Sequence, residues 1–270
     1  MDARRGQETV MPPALPDILC IGSVLWDVIG RSASHMRVGS DVPGRITRLP
    51  GGVAMNIAMT VSRFGLTPAL LTAIGRDAEG DELIADCAAR GMITDHVYRS
   101  DDLPTDVYMA IEGANGLIAA IADAHSLEAA GDKILAPLSD GRLGQEDRPW
   151  PGLVALDGNL TEELLRRIAT SPLLGQSDLR VAPASPGKAE RLLALMGHPS
   201  ATFYVNREEA GLICKESFDT AEAAAQMMHA RGAHRVLVTD GAQAAALTGP
   251  DGTITAMPPE VLVTRVTGAG

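Results

Sequence analysis

Short segments that are apolar throughout alternate along this chain with segments whose apolar residues recur at helical spacing. The apolar segments cover residues 17–22, 69–74, 153–156, 201–205 and 235–239. A strand that is apolar at every position is typical of a parallel sheet, because the crossover helices cover both of its faces. The alternation therefore predicts a doubly wound α/β fold with a mainly parallel sheet flanked by helices.

Glycines mark the ends of the predicted helices. Apolar residues recur at helical spacing over residues 53–64, 83–88 and 164–168. Gly65 and Gly91 end the first two of these helices. Asp219, with Glu222 three positions later, predicts an N-cap and a capping box for an alanine-rich helix that ends at Gly232.

One part of the sequence departs from this alternation. Residues 107–111 and 117–121 flank a short glycine-containing turn, which predicts a β-hairpin. Residues 34–49 are also extended and rich in turn formers. These pieces, at about 34–49 and 105–123, are expected to form a small β lid over the sheet. Residues 1–16 contain three prolines and are expected to be a loose leader before one domain over residues 17–270.

Charge and composition exclude several classes of partner. The chain has 23 Lys and Arg against 34 Asp and Glu, a net charge of −11, which disfavours binding to nucleic acid or to anionic membranes. No apolar run reaches the roughly 18 residues that span a bilayer, and residues 1–16 lack the apolar core of a secretory signal. Cys20, Cys87 and Cys214 are widely spaced and predict buried free thiols, so a cytoplasmic location is expected.

The common cofactor motifs are absent from the sequence. There is no GxGxxG after the first predicted strand, no GxxxxGK[ST] and no HExxH, and the six histidines have no metal-ligand spacing. A dinucleotide fingerprint, a Walker loop and a zincin-type metal site are therefore not supported.

Two polar features lie early in the chain. Asp27 follows the first predicted strand, at the sheet edge where α/β proteins bind ligands, and its carboxylate could accept hydrogen bonds from two sugar hydroxyls. The alternative for Asp27 is a helix cap or a solvated loop residue. Gly51 and Gly52 open a helix that contains Asn56, and paired glycines would expose free backbone N–H groups to a ligand. The alternative is a plain glycine turn.

Two further features lie late in the chain. Asn206 and Glu209 follow a predicted strand and share one helix face, which suits a hydrated Mg²⁺ beside phosphates. The alternative is an Asn cap with acidic residues in the first turn. Gly268, Ala269 and Gly270 form a glycine-rich turn whose amides could hold an anion and stabilise a phosphoryl group in transfer.

These four features, in this order, resemble the PfkB (ribokinase-like) family of sugar and nucleoside kinases. The resemblance implies a ribokinase-like fold, ATP and Mg²⁺ as cosubstrate and cofactor, and a small nucleoside or sugar as substrate. It implies that Asp27, Gly51, Gly52 and Asn56 bind the sugar, and that Gly268 to Gly270 form the anion hole. The family's catalytic Asp would directly follow Gly270, so the 270-residue chain is expected to be truncated and inactive.

The resemblance also implies roles for residues outside these features. Thr239 and Gly241, in Thr239-Asp-Gly241, match the segment beside the nucleotide, where Asn206 would also lie. Asp123 and Asn159 would contact the substrate, and the lid could join two copies into a homodimer.

Within the family, the glycine-rich segment from Asp41 to Ala58 and the segment from Ala119 to Ala124 resemble those of pseudouridine kinases. The expected reaction is thus the ATP-dependent conversion of pseudouridine to pseudouridine 5′-phosphate. Met55 stands where pseudouridine kinases often carry Arg. Arg265-Val-Thr267 replaces the more common D-T-T, which weakens the case for a monovalent-cation site. The alternatives are another sugar, adenosine or inosine kinase, or an inactive ligand-binding protein with this fold.

Overall fold

The structure, a computed structural model, describes residues 15–260. Its strands in chain order are β1 Ile18–Ile21, β2 Leu25–Arg31, β3 Arg45–Gly51, β4 Pro68–Leu71, β5 Ala73–Gly75, β6 Tyr98–Ser100, β7 Val107–Gly113, β8 Gly116–Asp123, β9 Leu153–Asp157, β10 Asp178–Ala182, β11 Thr202–Asn206, β12 Arg235–Asp240, β13 Gln243–Gly249 and β14 Gly252–Ala256. Its α-helices are α1 Val53–Arg63, α2 Ala78–Ala89, α3 His125–Ala130, α4 Glu162–Thr170, α5 Arg207–Cys214 and α6 Ala221–Ala230. Shorter 3₁₀-helical segments cover Gly131–Leu138, Pro172–Leu174 and Pro186–Leu195.

The main sheet has eight strands in the order β14-β13-β12-β11-β10-β9-β1-β4. The strands from β4 to β12 in this order are parallel, and β13 and β14 add an antiparallel edge. Successive residues of a strand point to opposite faces, so Leu19 packs into one apolar cluster and Cys20 into another. Helix α1 contributes Met55 to the cluster around Cys20. The predicted doubly wound, mainly parallel α/β fold is confirmed.

A second, four-stranded sheet has the order β3-β2-β7-β8. Strands β7 and β8 pair antiparallel, which confirms the predicted hairpin. Strand β2 pairs antiparallel with β3 and parallel with β7. The sequence analysis did not predict β2, and this strand carries Asp27 into the second sheet, which we call the lid sheet.

Two local predictions need correction. The segment at 69–74 is not one strand: it divides at Thr72 into β4, which pairs with β1, and β5, which pairs with β6. The N-cap of α6 is Thr220 rather than Asp219, because the Thr220 side chain accepts a hydrogen bond from the Ala223 amide at 3.1 Å.

Within residues 15–260, none of the helices has both the length and the apolar character needed to cross a membrane.

Candidate active site

Asp27 lies in the lid sheet, not at the end of the first strand where the sequence analysis placed it. Strand β1 ends at Ile21, and Asp27 is the third residue of β2, opposite Leu49 of β3 and Tyr108 of β7. The Asp27 side chain is half-buried. It has no hydrogen bond or ion pair within the part of the chain that the structure describes.

Gly51 lies directly against the Asp27 carboxylate. A Cβ added at Gly51 would lie 2.1 Å from Asp27 Oδ2 and 2.2 Å from Asp27 Cγ. Any side chain at position 51 would therefore displace the carboxylate. The structure thus brings Asp27 and Gly51 into contact. That the two residues bind a sugar stays a prediction.

Burial raises the pKa of the Asp27 carboxyl to about 6. Removal from water disfavours the charged form, and no described group donates a hydrogen bond to offset this cost. The same environment raises the pKa of the Tyr108 hydroxyl, mainly through burial and further through the charges of Asp27 and Glu112. A half-buried, unpartnered carboxylate is suited to accept hydrogen bonds from the hydroxyls of a ligand.

The N-terminal amides of α1 are not free, contrary to the expectation for the paired glycines. Gly52 has φ +96°, and a Cβ there would lie 2.4 Å from the Ser23 carbonyl oxygen. The Val53 amide donates to Ser23 Oγ at 2.9 Å, and the Met55 amide donates to the Ser23 carbonyl at 3.2 Å. The glycines thus allow α1 to dock on Ser23. Asn56 lies in the first turns of α1 and is half-buried. Its backbone N–H donates to the Gly52 carbonyl at 2.9 Å.

A buried polar cluster joins α1 to the carboxyl ends of β1 and β9. Asp157 is fully buried, and its Oδ2 accepts from the Ser23 amide at 2.7 Å, the Ser23 hydroxyl at 2.5 Å and the Ala54 amide at 3.4 Å. Its Oδ1 accepts from the Asn159 amide at 2.7 Å. The carboxylate therefore offsets the positive end of the α1 dipole from within the core.

Asn159 links this cluster to a cation. Its Nδ2 donates to Ser23 Oγ at 2.9 Å, and its Oδ1 accepts from Lys188 Nζ at 2.7 Å. The sequence analysis named Asn159 but missed Ser23, Asp157 and Lys188. The position of Asp157 at the end of an apolar strand parallel to β1 was the available signal.

Asp123 is the last residue of the lid strand β8, and its side chain is exposed. Its Oδ1 lies 2.7 Å from Nδ1 of His125, the first residue of α3. This hydrogen bond and the charge of Asp123 raise the pKa of the His125 imidazole. The pair marks the point where the chain returns from the lid sheet to the helical layer.

Asn206 and Glu209 form a capping box at the start of α5. Asn206 Oδ1 accepts from the Glu209 amide at 2.8 Å, and Glu209 Oε2 accepts from the Asn206 amide at 2.9 Å. The alternative of an Asn cap with first-turn acids thus describes the local geometry. Glu209 is 8% exposed, and burial raises the pKa of its carboxyl.

Magnesium fits this position only through water or phosphate. Within residues 15–260 no group of three or more His, Cys, Asp or Glu side chains could hold a metal ion directly. Asn206 and Glu209 each retain oxygen lone pairs beyond the capping box. This donor set suits Mg²⁺, which keeps several waters and takes few protein ligands.

The predicted nucleotide residues Asn206, Thr239 and Gly241 line one open cavity of about 970 Å³. They come from the carboxyl ends of the neighbouring strands β11 and β12, which is where ligands bind in open α/β sheets. We call this space the nucleotide cavity, after the role that the sequence analysis predicts for these three residues.

Two residues that the sequence analysis missed, Arg207 and Asp240, also line the nucleotide cavity. Arg207 Nε donates to Asp240 Oδ2 at 2.9 Å, and its Nη1 donates to the Phe218 carbonyl at 2.6 Å. Arg207 therefore ties the start of α5 to the end of β12. The predicted anion-hole residues Gly268, Ala269 and Gly270 lie outside the described residues.

A polar cluster and an open cavity at the carboxyl ends of a parallel sheet, beside a small lid sheet, are the arrangement of a ribokinase-like small-molecule kinase. The family model described as pfkB family carbohydrate kinase matches residues 15–270. The chain belongs to the pfkB family of carbohydrate kinases. It is a phosphotransferase whose acceptor is a hydroxyl group of a sugar or nucleoside.

Two similar proteins are pseudouridine kinases. The one from Escherichia coli (strain K12) is 28% identical over 261 residues, which cover 94% of this chain and 80% of the relative. The one from Arabidopsis thaliana is 26% identical over 180 residues, which cover 65% of this chain and 44% of the relative.

Solved structures show the same fold. A carbohydrate kinase from Agrobacterium tumefaciens matches with a TM-score of 0.75 and 21% identity, over 92% of this chain and 77% of that chain. A ribokinase from Arabidopsis thaliana, complexed with ribose and ATP, matches with a TM-score of 0.69 and 17% identity, over 94% of this chain and 80% of that chain.

Proposed function

We propose that this kinase transfers the γ-phosphoryl group of ATP to the 5′-hydroxyl of pseudouridine, with Mg²⁺ as cofactor. The observation that carries the proposal is the half-buried carboxylate of Asp27, which lies against Gly51 and has no hydrogen-bond or ion-pair partner among residues 15–260. The names of the two pseudouridine kinase relatives support the choice of nucleoside.

In this proposal the substrate half of the site lies between the lid sheet and the start of α1. Asp27 accepts hydrogen bonds from ribose hydroxyls, and Asn56 adds a donor and an acceptor from α1. These two side chains would fix the ribose and thereby orient its 5′-hydroxyl toward the phosphoryl donor. Such positioning, together with charge stabilisation, is the main contribution of a kinase to catalysis. Asp123 and Asn159 complete the substrate contacts in the proposal.

The donor half is assigned to the nucleotide cavity. Thr239 and Gly241 lie against the nucleotide, and Asn206 and Glu209 hold water on Mg²⁺. When bound, Mg²⁺ neutralises charge that develops on the transferring phosphoryl group. The amides of Gly268 to Gly270 form the anion hole, and an Asp that follows Gly270 in the family motif accepts the hydroxyl proton.

We also propose that the lid joins two copies of the chain. Strand β8 lies at the edge of the lid sheet and exposes Leu117 and Ile121 to 60% and 69%. An apolar edge strand with unpaired backbone groups is a template for pairing with another strand. A cytoplasmic location fits the three free, buried cysteines.

Calorimetric titration tests the substrate without depending on turnover. Pseudouridine is expected to bind more tightly than uridine, adenosine or ribose, and Asp27→Asn is expected to weaken binding by at least about tenfold, the effect of one charged hydrogen bond. ADP release is then compared across the same compounds, on a chain that continues into the Asp of the family motif. If adenosine or a free sugar is preferred by more than about tenfold, the pseudouridine assignment is wrong and the kinase assignment stands. Binding without any turnover on the extended chain would favour an inactive ligand-binding protein.

A further inference from the structure

A second cavity, of about 340 Å³, shares no lining residue with the nucleotide cavity. The nucleotide cavity is built on β11 and β12. The second cavity is lined by Tyr98 and Arg99 of β6, which pairs with β5, the strand that follows the edge strand β4 in the chain. Beyond β11 the main sheet has four more strands, β10, β9, β1 and β4, on the side where β4 leads into β5. The second cavity is therefore not part of the site described above.

The lining of this second cavity is rich in cations, although carboxylates neutralise three of the four. Four cationic side chains line it, those of Arg76, Arg99, Lys133 and Arg142, against a single carboxylate, that of Asp101. The whole chain has only 23 Lys and Arg and a net charge of −11, so four cations around one small space are not expected from composition. We call this space the basic cavity. A concave surface with more cations than anions attracts anions.

Three of the four cations are held in place by other groups. Arg99 Nη2 donates to the Gly75 carbonyl and to Asp81 Oδ1, both at 2.7 Å. Arg142 donates from Nη2 to Asp140 Oδ2 at 2.6 Å, and Arg76 Nε lies 2.7 Å from Asp101 Oδ1. Guanidinium groups that are already oriented lose little conformational entropy when an anion binds.

Two lining groups have no polar partner. Lys133 forms no ion pair among residues 15–260; its Nζ lies 5.4 Å from the centroid of the Tyr98 ring. Nδ1 of His96 is buried and makes no hydrogen bond within the same residues. Buried polar atoms are nearly always hydrogen-bonded, so the His96 nitrogen indicates a missing partner. Burial lowers the pKa of His96, and the charge of Arg142 lowers it further. The imidazole is therefore uncharged at any pH above the ordinary pKa of histidine.

We propose that the basic cavity binds phosphate, as the free ion or as the phosphate group of a small ester, outside the catalytic centre. Phosphate suits the cavity because its oxygens accept hydrogen bonds from several cations at once, and arginine forks match its geometry. The Lys133 ammonium supplies the charge that no carboxylate neutralises. This proposal does not depend on which nucleoside the kinase phosphorylates.

Histidine side-chain NMR locates binding directly. The chain carries six histidines, and the His96 signal is assigned by its loss in His96→Gln. Inorganic phosphate is titrated at constant ionic strength, well above the ordinary histidine pKa of about 6.5, so that protonation does not move the signal. The His96 signal is expected to shift along a saturable curve. Ribose 5-phosphate in place of phosphate separates the two sources: tighter binding identifies an ester, and equal binding identifies the free ion.

Charge-removing variants test which side chains are responsible. Lys133→Gln is expected to weaken the binding that His96 reports by about tenfold, the loss of one charge-assisted hydrogen bond. Arg63→Gln is the matched control, because Arg63 is exposed at the end of α1, does not line the basic cavity and carries the same charge. The proposal is overturned if the His96 signal does not move through the millimolar range. It is also overturned if Lys133→Gln and Arg63→Gln give the same curve.

Discussion

The carboxylate of Asp27 fills the space that a side chain at Gly51 would need: a Cβ at position 51 would lie 2.1 Å from Asp27 Oδ2. Asp27 belongs to β2 and Gly51 ends β3, and these strands pair directly. The two residues are 24 positions apart in the sequence. In the structure, the Asp27 carboxylate leaves room only for glycine at position 51. The contact makes Asp27 and Gly51 the best place to test the substrate half of the site.

Gly51→Ala is expected to weaken nucleoside binding by at least about tenfold while the fold is kept. The added methyl group must displace the Asp27 carboxylate, because a Cβ contact below 3.0 Å cannot be accommodated. Calorimetric titration with pseudouridine measures the loss. Gly30→Ala is the matched control within the lid sheet, since a Cβ there meets its nearest atoms at an ordinary 3.9 Å. Equal affinity for the two variants would show that the contact has no role in binding.

Asp27→Asn is expected to stabilise the free protein above pH 6 while it weakens nucleoside binding. The folded pKa of Asp27 is raised from 3.8 to about 6, so the folded state resists ionisation of this group more than the unfolded state does. The wild type thus loses stability relative to the variant as pH rises from about 4 to about 6, and the difference is constant at higher pH. Urea unfolding at a series of pH values measures this difference. A variant that gains nothing over wild type between these pH values would contradict the raised pKa.

The pH dependence of binding follows from the same group. A carboxylate accepts from two hydroxyls, and its protonated form must use one oxygen as a donor. Nucleoside affinity of the wild type is expected to rise as pH increases through about 6 and then to level off. Asp27→Asn should show a flat profile over this range. A rise in both proteins would assign the titration to another group.

Glu209→Gln is expected to keep the fold and to weaken Mg²⁺-dependent ATP binding. A Gln at the third helical position can still complete a capping box with Asn206, so stability should change by no more than a few tenths of a kcal/mol. The variant lacks the negative charge that, in the proposed function, orders water on Mg²⁺. ATP titrations with and without Mg²⁺ measure the effect, and Glu163→Gln, an exposed acid in the first turn of α4 outside the nucleotide cavity, is the control. If both variants keep the full Mg²⁺ effect, Glu209 acts only as a cap.

The fold could be predicted from sequence because its signals are local. Wholly apolar runs identified β1, β9, β11 and β12, and the glycine turn identified the β7–β8 hairpin. Strand β10 was missed because Asp178 and Arg180 alternate with the buried Leu179 and Val181, so the segment does not look like a strand covered on both faces.

The site was predicted only in part because its contacts are long-range. Asn206, Thr239 and Gly241 meet in one cavity, as adjacent parallel strands require. The role of Ser23 could not be predicted, because its hydrogen bonds go to Asp157, 134 positions away, and to the start of α1. Asp27 was misplaced because a polar residue soon after β1 looks like a loop residue, whereas the chain turns at once into β2. No local pattern shows which sheet a strand will join.

Asp157→Asn is expected to destabilise the protein by about 2–4 kcal/mol. Asp157 is fully buried, and its two oxygens accept from five groups: the backbone amides of Ser23, Ala54 and Asn159, the Ser23 hydroxyl and Asn159 Nδ2. An Asn side chain turns an amino group toward at least one of these donors, which leaves a buried donor unpaired. Urea unfolding measures the loss, with Asp132→Asn, an exposed partner of Arg167, as the control. A loss below about 0.5 kcal/mol, the usual size of a surface effect, would show that the cluster does not hold α1 in place.

Under the proposed association through the lid, Ile121→Glu is expected to convert a dimer to a monomer. Ile121 is 69% exposed on β8, so the change removes little burial within one chain and should leave the free energy of unfolding of that chain nearly unchanged. At the centre of a strand-to-strand interface the same change places two carboxylates in an apolar contact, which strongly disfavours association. Light scattering coupled to gel filtration gives the mass of each variant. Ile254→Glu is the matched control, because Ile254 is 68% exposed on β14 of the main sheet, away from the lid. A wild-type protein that is monomeric, or a dimer that Ile121→Glu leaves intact, would exclude association through the lid. If Ile254→Glu alone dissociates the dimer, the interface lies at the β14 edge.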